Sequence, residues 1–202
     1  KLFKECIAEI KTSDELFCNM GILYDRKDQI VEAIQVYKNA LQINPNNIAV
    51  LNNLGNIYNK IGENNLALEY FNKMVSIGHD PYYVYNNIAL VYKRLGLLNE
   101  ALVAINKALS SNPQVHEPYH NAATICVSMG NKKDAFTCYE IAYKLAPNNT
   151  QVVSEYRDLC SNVCDWKKYA ELDAHLKKLL EAGGELEITS PMSDIQVNID
   201  PK

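Results

Sequence analysis

Long apolar runs are missing from this 202-residue chain. Nowhere do about 18 apolar residues follow one another, so no segment reads as a membrane span and no membrane partner is expected. The first residues lack the order of basic, apolar and small residues that marks a signal peptide. Lysine and arginine form no dense run, and 20 of them against 24 acidic residues leave a formal net charge of −4. A mildly acidic chain without a basic stripe argues against a nucleic-acid surface. No glycine-rich phosphate loop is present. The four histidines, His79, His116, His120 and His175, are scattered over turns and helices with no nucleophile partner. The chain therefore reads as no enzyme, and nothing in it calls for a cofactor. Among six cysteines, Cys160 and Cys164 stand four apart, a helical metal-pair spacing, but no second Cys or His pair lies nearby in sequence. Reduced thiols in a cytoplasmic protein are the plain reading.

What the chain does have is a period. Tyr85 to Pro113, YNNIALVYKRLGLLNEALVAINKALSSNP, holds two apolar runs at helical spacing, split by Leu95-Gly96-Leu97 and closed by Asn112-Pro113. Tyr85, Ile88, Ala89 and Tyr92 share one helix face, and Ala101, Leu102, Ile105 and Ala108 share another. Small residues at Ala89, Ala101 and Ala108 let two such helices approach closely. Subtracting 34 from Tyr92, Ala101 and Tyr85 gives Tyr58, Ala67 and Leu51; subtracting it again gives Tyr24, Ala33 and Phe17; adding it gives Cys126, Ala135 and Tyr119. Pro45, Pro113 and Pro147 hold one register, Gly21, Gly55, Ala89 and Ala123 a second, and Gly62, Gly96 and Gly130 a turn register. This aromatic, small and proline pattern at a period of 34 resembles the tetratricopeptide repeat. The resemblance implies an all-α right-handed superhelix of helix-turn-helix repeats in which each hairpin buries its apolar face on its neighbours.

On that register, residues 1–11 read as the second helix of a truncated repeat, with Thr12 and Glu15 as a capping box for the next helix. Residues 14–149 hold four repeats. His79 stands where the second repeat would close on proline, and Asp80-Pro81 offers a cap and first-turn pair instead. Residues 150–183 read as a degenerate fifth repeat with a closing helix. Val153, Tyr156 and Cys160 keep its core slots, but Arg157 occupies the small-residue slot, which predicts different packing or an end position. Asp165 caps an amphipathic helix carrying Trp166, Tyr169, Leu172, Leu176 and Leu179, stopped by Gly183-Gly184. Residues 184–202 read as an extended tail or linker, with Ile195, Val197 and Ile199 in alternation. The tail is a candidate ligand for the groove of a neighbouring molecule. The chain opens within a repeat and closes on Asp200-Pro201, a helix start, as an excised segment would.

In a superhelix of helical hairpins the first helices line the concave face. Leu51, Leu54 and Tyr58 take core slots there, which leaves Asn52, Asn53, Asn56 and Asn59 on the inner side. Steps of 34 place Asn19, Asn53, Asn87 and Asn121 in one slot, with Asn86 beside Asn87. Asparagine is a poor helix former, while its amide offers a donor and an acceptor together, the complement of a peptide unit. Helices about 8–10 Å apart and an extended chain advancing about 3.3 Å per residue would put one amide against every third residue of a bound peptide. Asn19, Asn52, Asn53, Asn56, Asn86, Asn87 and Asn121 are therefore the expected peptide-binding residues. The competing account is that these amides brace neighbouring helices or meet solvent. His120 falls beside Asn121 on the same face, with solvent as the plainer account of its place.

The ladder on top of the repeats resembles the superhelical arm of the O-linked N-acetylglucosamine transferase family. So does Cys164-Asp165-Trp166-Lys167-Lys168-Tyr169, which is similar to the segment joining repeats to the catalytic region in that family. The resemblance implies an arm that holds an acceptor protein's main chain; the glycosyltransferase region has no counterpart in these residues. The alternative is a free-standing tetratricopeptide scaffold or adaptor, self-associating through exposed end repeats. The form that grips a C-terminal carboxylate is disfavoured, because Cys18 and Ile22 stand in slots it needs, and Lys60, Lys93 and Arg94 are the basic residues near the groove.

Overall fold

A computed structural model describes residues 13–78 and 81–183. Ten α-helices follow one another there, with no strand among the described residues: α1 (Asp14–Arg26), α2 (Ile30–Ile43), α3 (Ile48–Lys60), α4 (Asn64–Ser76), α5 (Pro81–Arg94), α6 (Leu98–Ser111), α7 (His116–Ser128), α8 (Lys132–Leu145), α9 (Thr150–Asn162) and α10 (Trp166–Glu181). They pair in sequence as five hairpins stacked into a superhelix, the all-α architecture that the 34-residue period predicts. The truncated helix over 1–11, Thr12, His79, Asp80 and the tail from Gly184 onward lie outside the described residues.

Local signals repeat with the same period. Ser13, Asn47 and Asn149 each cap a first helix by accepting from the backbone N–H three residues on, at 3.2, 3.1 and 3.0 Å. The cap of α1 is thus Ser13, whose hydroxyl reaches Leu16; the Thr12 of the expected capping box lies outside the described residues. Asp165 caps α10 through Lys168 N–H at 3.0 Å, as the sequence predicts. The turn inside each hairpin needs a left-handed residue, which Gly62, Gly96 and Gly130 supply at φ +86°, +74° and +75°. Asp28 and Cys164 hold the same slot at φ 58° and 59°. Cys164 is therefore in an exposed turn while Cys160 is buried in the core, so the two do not form a pair on one helix.

Packing inside each hairpin rests on size matching. Ala33, Ala67, Ala101 and Ala135 are fully buried where the two helices come closest. Beside them a small residue on the first helix faces a large one on the second. A methyl on Gly55 would stand 2.5 Å from Cε1 of Phe71, and one on Gly21 would run into the Tyr37 ring. In the fifth hairpin the sizes are exchanged. Arg157 takes the glycine slot, and Asp173 takes the slot of Tyr37 and Phe71. Its guanidinium donates from Nη1 to Asp173 Oδ1 at 3.3 Å, from Nη2 to Asp158 at 2.8 Å, and lies over the Tyr169 ring. The bulk expected to force different packing is absorbed by the shrunken partner, and α9 and α10 still close as a hairpin. Leu172 and Leu176 are buried on α10, but Trp166 is 61% exposed and lies off the apolar stripe assigned to it.

Candidate functional site

The first helices of the hairpins, α1, α3, α5, α7 and α9, carry the polar face singled out in the sequence. On α5, Tyr85, Ile88 and Tyr92 share one side, while Asn86, Asn87 and Lys93 fall on the opposite one, as the 100° step between residues requires. Asn19 and Asn56 are exposed, and neither amide makes a hydrogen bond among the described residues. Asn52, Asn53, Asn87 and Asn121 are half-buried, and Asn86 is 9% exposed.

Most of these amides engage one another. Asn87 donates from Nδ2 to Asn52 Oδ1 at 3.0 Å, and Asn121 donates from Nδ2 to Asn86 Oδ1 at 2.8 Å. Asn52 in turn donates to the Tyr83 hydroxyl at 3.2 Å. Both amide–amide bonds join residues 35 apart, one more than the repeat. They are rungs between neighbouring first helices, the bracing role weighed against peptide capture in the sequence. The same step recurs at the next interface with different chemistry. His120 Nε2 lies 2.8 Å from Glu155 Oε2, so the histidine with solvent as its plainer account is a rung, its side chain 13% exposed. At the first interface Cys18 stands where a rung acceptor would be, and the Asn53 amide lies by the Tyr37 hydroxyl instead.

Each rung uses half of an amide. Asn87 and Asn121 spend a donor and keep Oδ1, and Asn86 spends Oδ1 and keeps its two donors. None of these remaining atoms is among the buried groups that lack a partner; Asn87 and Asn121 are half-buried and Asn86 is buried. Asn59 differs, because its Oδ1 is buried and unpaired.

Charge on the face is tightly managed. Glu155 also accepts from the Tyr139 hydroxyl at 2.9 Å and from Gln151 at 3.0 Å. Burial alone would raise its pKa, but the hydrogen bond and charge of His120, aided by Gln151 and Tyr139, outweigh it and hold the carboxyl at about 2. Burial pushes the Tyr37 phenol up to about 12. Lys93 donates to Thr124 Oγ1 at 2.7 Å, and burial lowers its pKa against the pull of Glu155. Lys60 is taken up by Asp28 at 2.9 Å across the first interface. No cluster of metal-ligating side chains occurs among the described residues, and none of their helices is long and apolar enough to cross a membrane.

Known proteins share the repeat and the fold. A sequence profile described as TPR repeat matches residues 21–62, and one described as Tetratricopeptide repeat matches 48–77, 82–115 and 116–149, together more than half of the chain. No curated protein matches it. Similar solved structures include PilF of Pseudomonas aeruginosa, at 19% identity and a TM-score of 0.71 over 85% of this chain and 77% of that one. MamA is 23% identical, with a TM-score of 0.61 over 89% and 99%. YrrB, described as a TPR protein with an unusual peptide-binding site, is 16% identical, with a TM-score of 0.59 over 90% and 93%. At these identities the likeness is one of fold.

Proposed function

We propose, from the premise that this chain belongs to the tetratricopeptide repeat family, that it is a protein–protein interaction module taking an extended peptide against the polar face of its first helices. The observation that carries the reading is the half-spent ladder. Rungs fix Asn86, Asn87 and Asn121 in one orientation, and each rung leaves donors or acceptors of these amides that a peptide lying along the face would take up. Amides already ordered by a neighbour lose less conformational freedom on binding than free ones would. Exposed Asn19 and Asn56 extend the same face at its start and middle.

The test separates capture from bracing. Asn19→Ala/Asn56→Ala removes two amides that brace nothing, and alanine is the better helix former, so melting should hold or rise slightly. Each lost hydrogen bond is worth about 1 kcal/mol, and two of them weaken binding roughly thirtyfold. Two dissimilar peptides selected from a displayed random library, titrated calorimetrically, should weaken by similar factors because the contact is to backbone. Failure to select any peptide, or equal affinity for parent and variant, overturns the reading.

A finer reading makes this module the substrate-recruiting arm of an O-linked N-acetylglucosamine transferase-like enzyme. It rests on the asparagine ladder and on Cys164-Asp165-Trp166-Lys167-Lys168-Tyr169, which form the turn into α10 and its first residues. Its check is whether the gene continues past Lys202 into a sugar-nucleotide-binding region. A free-standing scaffold is the outcome if it does not.

A further inference from the structure

The second and third hairpins differ at one place on the side away from the rungs. In the second, Tyr58 of α3 stacks on Tyr70 of α4, with ring centroids 5.6 Å apart and planes 5° from parallel. Lys38, reaching across from α2, lies by the Tyr58 phenol, which raises the lysine's pKa. Adding 34 carries Tyr58 to Tyr92, Tyr70 to Ala104 and Lys38 to Asn72. Those three residues together line a single cavity of about 400 Å³ between α4, α5 and α6. The cavity thus lies where the second hairpin keeps its own aromatic ring. Truncating that side chain to a methyl leaves the flat face of Tyr92 without a stacking partner and opens room beside it.

The remaining lining says what fits. Tyr85 and Ile88 add apolar surface, so the interior is shaped for a ring. Asn72, Asn99, Glu100 and Lys107 supply donors and acceptors of both kinds, enough to satisfy a phenol hydroxyl and the peptide groups that flank it. Lys107 holds its ammonium 5.1 Å over the Tyr85 ring, and Glu100 gives the same cavity a carboxylate. One charge of each sign complements the two dipolar peptide units on either side of a side chain. The volume falls among those of ligand pockets, at roughly 300–1,000 Å³. Val103, 56% exposed, extends the apolar lining to the surface, where a chain rather than a free solute would lie.

We propose that this cavity is a second binding site, which takes a tyrosine side chain of a partner polypeptide and stacks it on Tyr92 as Tyr70 stacks on Tyr58. It is independent of the amide ladder, since Tyr85, Ile88 and Tyr92 occupy the opposite side of α5 from Asn86 and Asn87.

The probes are 4-methylphenol, the tyrosine side chain as a free molecule, and an acetylated, amidated Gly-Tyr-Gly peptide. Both are titrated into the full chain and followed by NMR. Both should give saturable shifts at Tyr92, Val103 and Ala104, and the peptide should bind at least tenfold more tightly. Ala104→Tyr supplies the ring from within and should remove both titrations while raising the melting temperature. Should that variant not fold, Ala104→Leu fills the same space and should weaken both probes at least tenfold. Tyr70→Ala should create a second set of saturable shifts around Tyr58. Shifts that stay linear in the parent, or that persist undiminished when Ala104 is enlarged, overturn the site. A peptide no tighter than the phenol overturns its assignment to a polypeptide.

Discussion

The rung between Asn86 and Asn121 gives a signed and counter-intuitive stability prediction. Replacing either residue by alanine breaks one 2.8 Å hydrogen bond, a net loss of about 1 kcal/mol. Alanine returns roughly 0.6 kcal/mol per position, because asparagine is the poorer helix former. Each single variant should then lie about 0.4 kcal/mol below the parent. Asn86→Ala/Asn121→Ala loses the bond once but gains propensity twice, so it should equal or slightly exceed the parent. The double variant thus outranks both singles, with a coupling of about 1 kcal/mol. In melting temperature that separates it from the singles by about 1–2 °C. Urea unfolding of all four proteins is the sharper assay, provided their slopes agree, since stacked repeats can unfold piecemeal. Asn52→Ala/Asn121→Ala takes one residue from each of two different rungs and should be additive. A coupling below about 0.3 kcal/mol at Asn86–Asn121, or an equal one in the control pair, would refute the rungs as energetic links.

Two further outcomes rest on the same geometry. Glu155 has a folded-state pKa of about 2 against an ordinary 4.5, so its contribution to stability is fully present above 4.5 and drains away as pH falls from there toward 2. Glu155→Gln should flatten that acid limb in melting curves recorded across the window, and parallel curves for parent and variant would contradict the assignment. Gly55→Ala should destabilise the chain by about 1 kcal/mol, since overpacking costs about 1–3 kcal/mol against a gain of about 1 kcal/mol in helix propensity. A rise in the urea midpoint would mean that the fully buried Phe71 ring yields more readily than its packing suggests.

The sequence makes the core legible because burial obeys one register. Ala33, Ala67, Ala101 and Ala135 come out buried at steps of 34, and Tyr58, Tyr156 and Cys160 with them. The ladder is only half legible for a related reason. Aligning repeats groups equivalent residues, Asn53 with Asn87 with Asn121, whereas the bonds run to the preceding residue of the preceding repeat. Asn52–Asn87 and His120–Glu155 are one kind of contact at 35, and a comparison made slot by slot never sets them side by side. Arg157 misleads when judged alone. Its consequence for packing depends on Asp173, sixteen residues away, so only the pair carries the information.

The exchange of sizes between Arg157 and Asp173 bears on how such a chain can be cut and rejoined. A recombination event falling inside a hairpin could join a first helix bearing arginine to a second bearing Tyr139, two bulky groups in one space. The reverse crossover would set Gly55 against Asp173 and leave a void. Breaks between hairpins keep every matched pair together and fall on the stacking interfaces, where the rungs tolerate asparagine with asparagine at two interfaces and histidine with glutamate at a third. The hairpin is therefore the unit that can be inherited, duplicated or transplanted whole, and the half-hairpin is not.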